Sequence, residues 1–404
     1  MEQMTMNPEA IAPVRYDVII VGAGPAGLCF ARSLSGAGLS ICIVEQLDDA
    51  ALAEPPEDGR EIALTPASIR LLKLLDIWPR IDAREIAPLR RAQVLDGNSP
   101  YHLDLNASDS GHKQLGSLVP NYLIRRAAYH SVVDLPDVEL RCGVHATSVA
   151  ADAADAVMLL SDQSVLRARL IVAADSRFSE TRRRMGIPAS LHDFGKTMIV
   201  CRMAVEQPLQ QTASEWFGYG QTMAVLPLND GVASIVLTLP AEESAALMAL
   251  DDAGFVAAVE QRADDRLGRL KLVGQRHAYP LVAVYAERFV ARRFALIGDA
   301  AVGMHPVTAH GFNLGLRSQQ TLAREIRTAQ THGRDIGSNA VLARYERAHR
   351  RATAPLYVAT NALVRVYTND TLPARLLRRA ALRVSNRVTP IRRSLLARIT
   401  DEGI

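Results

Sequence analysis

A glycine-rich turn near the start of the chain constrains the fold more than any other feature. Tyr16–Val21 (YDVIIV) is a short apolar run with β-branched residues, typical of a buried parallel strand. Residues 22–27 read GAGPAG, and a helical pattern follows through Leu34. A second apolar run, Leu39–Val44, ends at Glu45. Strand, turn, helix and strand within about thirty residues predict a βαβ unit that binds a dinucleotide.

The positions of this turn have separate physical roles in such a unit. Gly22 allows the tight turn, and Gly24 lets backbone amides approach a pyrophosphate. Gly27 lets the helix pack closely on the strand, and Ala26, in the same turn, is expected at the cofactor. Glu45 is placed to accept hydrogen bonds from a ribose 2′-hydroxyl. Its charge disfavours a 2′-phosphate, so the ligand held here is not expected to be NADP.

A second strand-to-helix turn lies far downstream of the first. Phe294–Ile297 predicts a short buried strand that breaks at Gly298–Asp299, and Gly311–Asn313 opens a long helix. Ala168–Ala174 (ARLIVAA) predicts another buried strand, which stops at Asp175. The carboxyl ends of strands in one parallel sheet lie along one edge, where doubly wound folds bind ligands. An acid-bearing turn so late in the chain therefore predicts a ligand long enough to span the domain, and FAD is the common one.

The downstream turn supplies the groups for the far end of that ligand. With Gly298 forming the turn, Asp299 would bond a ribityl hydroxyl. The helix start at Gly311, Phe312 and Asn313 would point backbone amides at the N1–C2=O edge of the flavin. Negative charge appears at this edge on reduction, and the positive end of a helix dipole stabilises it.

The remaining segments predict a second sheet inserted into this α/β fold. Residues 90–107 and parts of 190–280 alternate in polarity like antiparallel strands. We expect an α/β chain with a doubly wound, Rossmann-like FAD-binding domain, an inserted mixed β-sheet substrate domain and a C-terminal helical tail. The expected limits are 14–75, 111–189 and 281–331 for the FAD-binding domain, 76–110 and 190–280 for the substrate domain, and 332–404 for the C-terminal helices.

Four local predictions concern segments outside the two turns. Gln46–Gly59 is rich in proline and acids and predicts a loop. Val138–Ala150 predicts one strand of a β-ribbon, and Ala241–Leu267 predicts a helix. Ser338–Arg351 predicts another helix.

Charge and cysteine usage limit the compartment and the partners. The formal net charge of +3 gives no reason to expect a nucleic-acid partner. The segment from Arg365 to the end, however, contains nine arginines and only three acidic residues. The four cysteines are scattered, which predicts neither a metal site nor a redox pair and fits a reducing cytoplasm. The N-terminus has no signal-peptide pattern, and no apolar stretch is long enough to predict a membrane span.

Five segments carry a resemblance to a known family that covers nearly the full length. The chain resembles the FAD-dependent aromatic hydroxylases of the para-hydroxybenzoate hydroxylase type and, more narrowly, the ring hydroxylases of ubiquinone biosynthesis. Departures from the family pattern indicate a divergent branch similar to the UbiM-like hydroxylases. The segments are GAGPAG (22–27), DGREIAL (58–64), AADSRFSETRR (173–183), GDAAVGMHPVTAHGFNLGLR (298–317) and DIGSNAVLARYERAHR (335–350).

The resemblance implies an activity and two cofactors. NAD(P)H would reduce FAD, O2 would add to give a C4a-hydroperoxide, and its distal oxygen would pass to the aromatic ring of a polyprenylated phenol or demethoxyubiquinol. The cofactor supplies the difficult chemistry, and the protein supplies placement and exclusion of water. No second dinucleotide turn occurs in the sequence, so NAD(P)H is expected to bind transiently.

The resemblance also implies several site residues. Similar proteins carry Arg60, Asn121 and Arg125 beside the flavin and Pro306 next to its reactive face. His310 stands where the family usually has Gln, so Pro306 and His310 are the catalytic candidates, although a structural role for the histidine stays open. The family usually has Gly in place of Ser176, which weakens the match of the motif that begins at Asp175. The family also usually has Asp where this chain has Ser318.

Several alternatives are left open by the sequence. The substrate could be a small soluble aromatic, or the protein could be a flavin-binding assembly subunit with little turnover. The basic tail suits anionic lipid headgroups or a ubiquinone-synthesis complex, so we expect a cytoplasmic protein with peripheral contact to the inner membrane face. A homodimer, the ring carbon attacked and the choice between NADH and NADPH are undecided.

Overall fold

The computed structural model describes residues 14–367, apart from residues 98, 100, 101, 112, 219 and 306–309. The strands are, in chain order, β1 (Val14–Val21), β2 (Ile41–Val44), β3 (Glu61–Leu64), β4 (Ala87–Leu89), β5 (Arg91–Asp96), β6 (His102–Asn106), β7 (Gly116–Pro120), β8 (Val138–Arg141), β9 (Ala146–Ala151), β10 (Ala156–Leu160), β11 (Val165–Ala173), β12 (Ala189–Val205), β13 (Thr212–Gly218), β14 (Gln221–Pro227), β15 (Val232–Pro240), β16 (Leu270–Ala286), β17 (Val290–Ala291), β18 (Phe294–Leu296) and β19 (Val302–Gly303).

Helices cover the faces of the sheets and connect their strands. They are α1 (Pro25–Leu34), α2 (Asp49–Ala53), α3 (Pro66–Leu74), α4 (Asn121–His130), α5 (Glu180–Arg184), α6 (Ala241–Met248), α7 (Asp252–Ala263), α8 (Gly311–Thr331) and α9 (Asn339–Tyr367). Among the residues with assigned positions, no helix has both the length and the apolar character needed to cross a membrane.

The first sheet contains the strands of both predicted turns. Its path is β17-β18-β11-β1-β2-β8, and the neighbours from β18 to β8 are parallel. Val21 pairs with both Val44 and Ala173, and Ala173 pairs with Leu296. The strands β1, β11 and β18 therefore end at the same edge, as predicted. The apolar β-branched residues of these strands form the centre of the main core.

Residues 138–151 differ from the prediction of a single ribbon strand. Strand β8 lies parallel to β2 in the first sheet, whereas β9 turns away and pairs antiparallel with β10. Gly143, with a φ of +72°, separates them because it adopts a left-handed conformation that ends the first strand. The ribbon is formed by β9, β10 and the start of β11.

The second sheet follows the path β19-β16-β12-β15-β14-β13-β5-β6. One of its faces, called the outer face here, packs under α6 and α7. Ile199, Cys201, Ile235 and Leu237 from the sheet contact Phe255 and other helix residues in a separate core. The strands β5 and β6 come from the earlier segment, and β5 pairs parallel with β13. The domain limits given above stay a prediction, and β16 runs past the expected limit at residue 280.

A small third sheet, β3-β7-β4, contacts the second sheet through Glu61 and Arg202 and contacts α8 through Ala63 and Asn313. The backbone at Gly116 in β7 passes so close to β3 that a Cβ at this position would lie 2.3 Å from the carbonyl oxygen of Leu64. Strand β7 leads directly into α4, which carries Asn121 and Arg125. This sheet brings residues 58–64 and the start of α4 together beside the second sheet.

Helix boundaries differ from prediction where local caps intervene. The predicted helix 241–267 is two helices, and Asp251 caps the second by accepting a hydrogen bond from the Gly254 amide at 2.8 Å. The predicted loop 46–59 contains α2, which Asp48 caps in the same way. Helix α9 continues past Arg351 and through Pro355, because its buried face with Thr353 and Thr360 packs against the protein. The tail from residue 368 lies outside the described residues.

Candidate active site

The first glycine turn has the close backbone contacts that its sequence predicts. Gly22 has a φ of +103°, and a Cβ there would lie 2.7 Å from the carbonyl oxygen of Ala174. A Cβ at Gly27 would lie 2.0 Å from the carbonyl oxygen of Gly22. Gly24 has open space where a side chain would stand. Two of these glycines are therefore required by the backbone, and the third leaves room for a ligand.

Glu45 lies at the end of β2, directly beside the glycine turn. Its Oε2 accepts a hydrogen bond from the amide of Ala23 at 2.6 Å, and its Oε1 accepts one from the amide of Leu47 at 3.0 Å. The carboxylate therefore braces the turn. A carboxylate oxygen has more than one acceptor site, so the predicted bond to a ribose hydroxyl stays compatible with this geometry. That role stays a prediction.

The downstream turn lies against the first one. Gly298 has a φ of +60°, and a Cβ there would lie 3.0 Å from the Cβ of Ala26 in α1. On the other side, a Cβ at Gly315 in α8 would lie 3.6 Å from the Cα of Gly298. The Gly298 turn is thus held between the N-terminal parts of α1 and α8. The two ends of the chain that were predicted to share one ligand are brought together.

A hydrogen-bond network behind the Gly298 turn was not predicted. The Ser318 hydroxyl accepts from the amide of Gly298 at 2.9 Å and donates to the carbonyl oxygen of Gly315 at 2.6 Å. The Tyr345 hydroxyl, from α9, donates to the carbonyl oxygen of Leu296 at 2.5 Å. Ser318 and Tyr345 are completely buried. The sequence marked Ser318 only as a departure from the family, and the contact itself depends on tertiary packing.

Asp299 faces an arginine that the sequence did not single out. Its Oδ2 lies 3.1 Å from Nη2 of Arg177, and the side chains of both residues are about one-third exposed. Arg177 also donates to the carbonyl oxygen of Val282, and the buried Arg182 donates to that of Ala300. Two arginines therefore fix the segment around Asp299. The predicted contact to a ribityl hydroxyl stays a prediction, and it would be made by a carboxylate that is already oriented.

The starts of α1 and α8 present free backbone amides. Neither helix has a side-chain cap, and neither has an acidic residue in its first turn. Gly311 has open space around it, and Phe312 packs partly against the main core. The side chain of Asn313 accepts from the Thr65 amide at 3.1 Å and donates to the carbonyl oxygen of Ala63 at 2.9 Å. Asn313 therefore ties α8 to the β3–α3 connection, which leaves its backbone for the predicted ligand contact.

His310 immediately precedes α8, and it is half-buried. Both of its ring nitrogens are shielded from water without a hydrogen bond to any described residue. An imidazole in this state lacks the hydrogen-bond partner that buried polar groups normally have. This state is consistent with a position beside a bound ligand. His305 is different, because it packs edge-to-face on Phe194 and burial lowers its pKa to about 4, with Lys196 contributing. Pro306, the other catalytic candidate, lies outside the described residues.

Asp58 joins the residues that the resemblance placed beside the flavin. Its Oδ2 accepts from Nη2 of Arg60 at 2.6 Å and from Nδ2 of Asn121 at 2.7 Å, and its carbonyl oxygen accepts from the Tyr279 hydroxyl. Burial alone would raise the pKa of Asp58, but the charge and hydrogen bonds of Arg60, with Asn121, hold it below its ordinary value. Within the described chain, Arg125 has no hydrogen bond or ion pair. It is a half-buried cation available to an anionic group.

Asp175 follows β11 at the same sheet edge. One carboxylate oxygen accepts from the amide of Thr181 at 3.1 Å, and the other is buried without a partner. The next residue, Ser176, has a φ of +81°, a conformation that favours glycine. The chain thus keeps the backbone conformation of an Asp-Gly turn although serine replaces the glycine.

These features fit FAD. The two electropositive helix starts and the open space at Gly24 and Gly311 suit the pyrophosphate and the flavin edge of a dinucleotide, and Arg125 and the ring of His310 have polar groups left for a ligand. The two helix starts lie on two sides of one turn because Gly298 contacts both α1 and α8. No group of three or more potential metal ligands occurs among the described residues.

Comparisons with known proteins agree with this geometry. The family described as FAD binding domain matches residues 15–359. Ubiquinone hydroxylase UbiM of Neisseria meningitidis is 43% identical over 388 residues, which cover 95% of this chain and 84% of that protein. Ubiquinone hydroxylase UbiL of Rhodospirillum rubrum is 35% identical, covering 96% and 91% of the two chains.

A solved structure supports the fold alone. p-Nitrophenol 4-monooxygenase PnpA from Pseudomonas putida DLL-E4 aligns with a TM-score of 0.79 at 17% identity, covering 97% of this chain and 100% of that one. The family match spans most of the chain, and the two relatives align over nearly all of it. The chain therefore belongs to the FAD binding domain family and, within it, to the FAD-dependent hydroxylases of ubiquinone biosynthesis.

Proposed function

We propose that this enzyme hydroxylates the aromatic ring of a polyprenylated phenol or demethoxyubiquinol, with NAD(P)H as the reductant and O2 as the oxygen source. The observation that carries the proposal is an apolar face of the second sheet that is only partly covered. The face opposite α6 and α7, called the inner face here, exposes part of Ala224, Leu226 and Val236 although they lie in interior strands. An aromatic ring with an apolar substituent suits such a surface.

The inner face lies against the segment that carries Arg60. Arg202 on this face pairs with Glu61 at 2.7 Å, and Tyr279 donates to the carbonyl oxygen of Asp58 at 2.7 Å. The side chain of His277 packs against Gly59, where a Cβ would lie only 2.6 Å from the imidazole. A substrate on the inner face would therefore be enclosed by the same segment that is expected at the flavin.

FAD, when bound, would supply the oxygen activation, and the chain would supply placement and electrostatics. The amides at the start of α8 would stabilise negative charge at the flavin edge, because the first turn holds no acid that would cancel the dipole. Asp299, held by Arg177, would orient a hydroxyl of the cofactor. His310 has ring nitrogens free to bond at the flavin edge. Pro306 is retained as a candidate next to the reactive face.

The reductant and the location are part of the proposal. NAD(P)H would bind without a domain of its own, near the edge where Asp175 keeps an unpartnered carboxylate oxygen. The basic tail, with nine arginines from Arg365 onward, would dock on anionic lipid and so give access to a lipid-tailed substrate.

Quinone profiling by mass spectrometry in cells that lack the protein tests the proposed substrate class. We expect lower ubiquinone and a precursor that lacks one ring hydroxyl or methoxyl group. Re-expression of the wild-type chain should restore the profile, and the Gly24→Val variant, which fills the open space at the turn, should not. An unaltered quinone profile, combined with hydroxylation of a water-soluble phenol by the purified protein, would instead assign the enzyme to small soluble aromatics.

A further inference from the structure

Glu215 lies on the inner face of the second sheet, in the middle of β13. A row of paired residues crosses five strands there, and we call it the inner row. Because paired residues share a face, the position of His277 against Gly59 fixes the whole row on the inner side. The inner row consists of Glu215, Ala224, Val236, Val200 and His277.

The carboxyl of Glu215 has no partner within the protein. Among the residues that the structure describes, none donates a hydrogen bond to it and no cation pairs with it. Its two cross-strand neighbours, Ala224 on β14 and Val94 on β5, are apolar. The residue is half-buried between two strands rather than on a sheet edge. Burial raises the pKa of its carboxyl to about 8.

Arg202, a charged residue on the same face, is already hydrogen-bonded within the protein. Arg202 donates two hydrogen bonds to Oε1 of Glu61, at 2.9 and 2.7 Å. Glu215 has no such partner among the described residues. An unpaired carboxyl beside an apolar strip costs stability, and such groups occur where a ligand supplies the missing hydrogen bond.

We propose that Glu215 binds the ring hydroxyl of the phenolic substrate and thereby fixes the orientation of the ring on the inner face. Ala224 and Val236, the partly exposed apolar residues of the inner row, would contact the ring, and the carboxyl would accept the hydroxyl hydrogen. A protonated carboxyl can accept through its carbonyl oxygen and an ionised one through either oxygen, so the contact needs no proton transfer. Glu215 is then a specificity-determining residue, and this inference rests on the proposed function.

A pair of probes isolates the hydroxyl contact. The first is a phenol with a two-isoprene chain ortho to the hydroxyl, and the second is its methyl ether, which has no hydrogen to donate. Their dissociation constants are measured on the FAD-loaded protein from the change in flavin absorbance, without turnover. The variants are Glu215→Leu and Glu215→Gln. Glu243→Gln, an exposed acid on α6 at the outer face, is the matched control.

The wild type and the control should bind the phenol about ten-fold more tightly than the ether, the size expected for one hydrogen bond to a buried group. Glu215→Leu should remove this preference, and Glu215→Gln should keep part of it because the amide oxygen still accepts. Flavin content and circular dichroism must match the wild type, which separates a local effect from misfolding.

Two outcomes would overturn the inference, and they are distinguishable. If Glu215→Leu folds, binds FAD and still prefers the phenol by the wild-type factor, Glu215 does not bind the hydroxyl, while the proposed function stands. If the wild type neither binds nor hydroxylates the prenylated phenol, both the inference and the proposed function fail.

Discussion

The backbone of Gly298 lies against the side chain of Ala26, so that a Cβ at residue 298 would be only 3.0 Å from the alanine Cβ. Ala26 belongs to the first glycine turn, and Gly298 belongs to the turn that follows β18. Their contact places the starts of α1 and α8 on two sides of one turn. A single extended cofactor can therefore reach the positive ends of both helices, which is the central feature of the candidate site.

The Gly298 contact predicts a selective loss of flavin. Gly298→Ala would add a methyl group against Ala26 in a left-handed conformation, so we expect FAD to bind at least about ten-fold more weakly. Gly333→Ala is the control because Gly333 has a similar φ of +63° with open space around it. The control should lose some stability but keep its affinity, as measured by flavin fluorescence titration. Equal affinities in both variants would disprove the role of the contact.

Asp58 is predicted to organise the residues beside the flavin. Asp58→Asn removes the charge that holds Arg60 and weakens the bond from Asn121, so the free energy of unfolding should fall by about 1–3 kcal/mol. FAD affinity should fall as well. Asp82→Asn, which breaks an exposed pair with Arg84, should change neither quantity. Urea denaturation and flavin titration measure both, and a stable Asp58→Asn protein with normal affinity would be incompatible with this role.

Ser176 is predicted to store backbone strain. Its φ of +81° is unfavourable for a residue with a Cβ. Ser176→Gly should therefore raise the free energy of unfolding by about 0.5–1 kcal/mol, after allowance for the greater freedom of glycine in the unfolded chain. Ser176→Ala keeps the Cβ and should give no gain. A stability that is equal in the glycine and alanine variants would show that this conformation costs nothing.

Glu215 predicts a pH dependence of stability. Burial raises the pKa of its carboxyl to about 8, while the ordinary value in the unfolded chain is 4.5. Between these values the unfolded chain releases the proton and the folded chain keeps it, so stability is fully present below pH 4.5 and declines as pH rises toward about 8. Asp96, another acid on this face, is present in both the wild type and the Glu215→Gln variant. Glu215→Gln should lack this part of the decline in substrate-free denaturation curves, and parallel pH profiles would contradict the assignment.

The sequence predicted the parts of this site that depend on local pattern. The turn at Gly22–Gly27 and the strand ends at Asp175 and Gly298 follow from apolar runs and glycine spacing, and the parallel sheet that joins them is confirmed. Spacing could not reveal the partners of these residues. Arg177, which orients Asp299, and the Ser318 hydroxyl behind Gly298 act through contacts between distant segments.

Two further features escaped prediction for physical reasons. Glu215 lies in β13, whose sequence TASEWFG has no regular alternation of polar and apolar residues, and its isolation becomes visible only when Val94 from another segment pairs beside it. Gly143 divides residues 138–151 because its left-handed φ interrupts a pattern that otherwise reads as one strand. The roles of Pro306 and His310 stay predictions.

Oxygen labelling of the product tests the central claim most directly. The purified protein, loaded with FAD, is supplied with NADH or NADPH, oxygen-18 gas and the ortho-prenylated phenol, and the product is analysed by mass spectrometry. We predict a ring-hydroxylated product that carries one labelled oxygen atom and whose yield depends on FAD. Oxidation of NAD(P)H that yields only hydrogen peroxide, with the phenol recovered unchanged, would contradict the account.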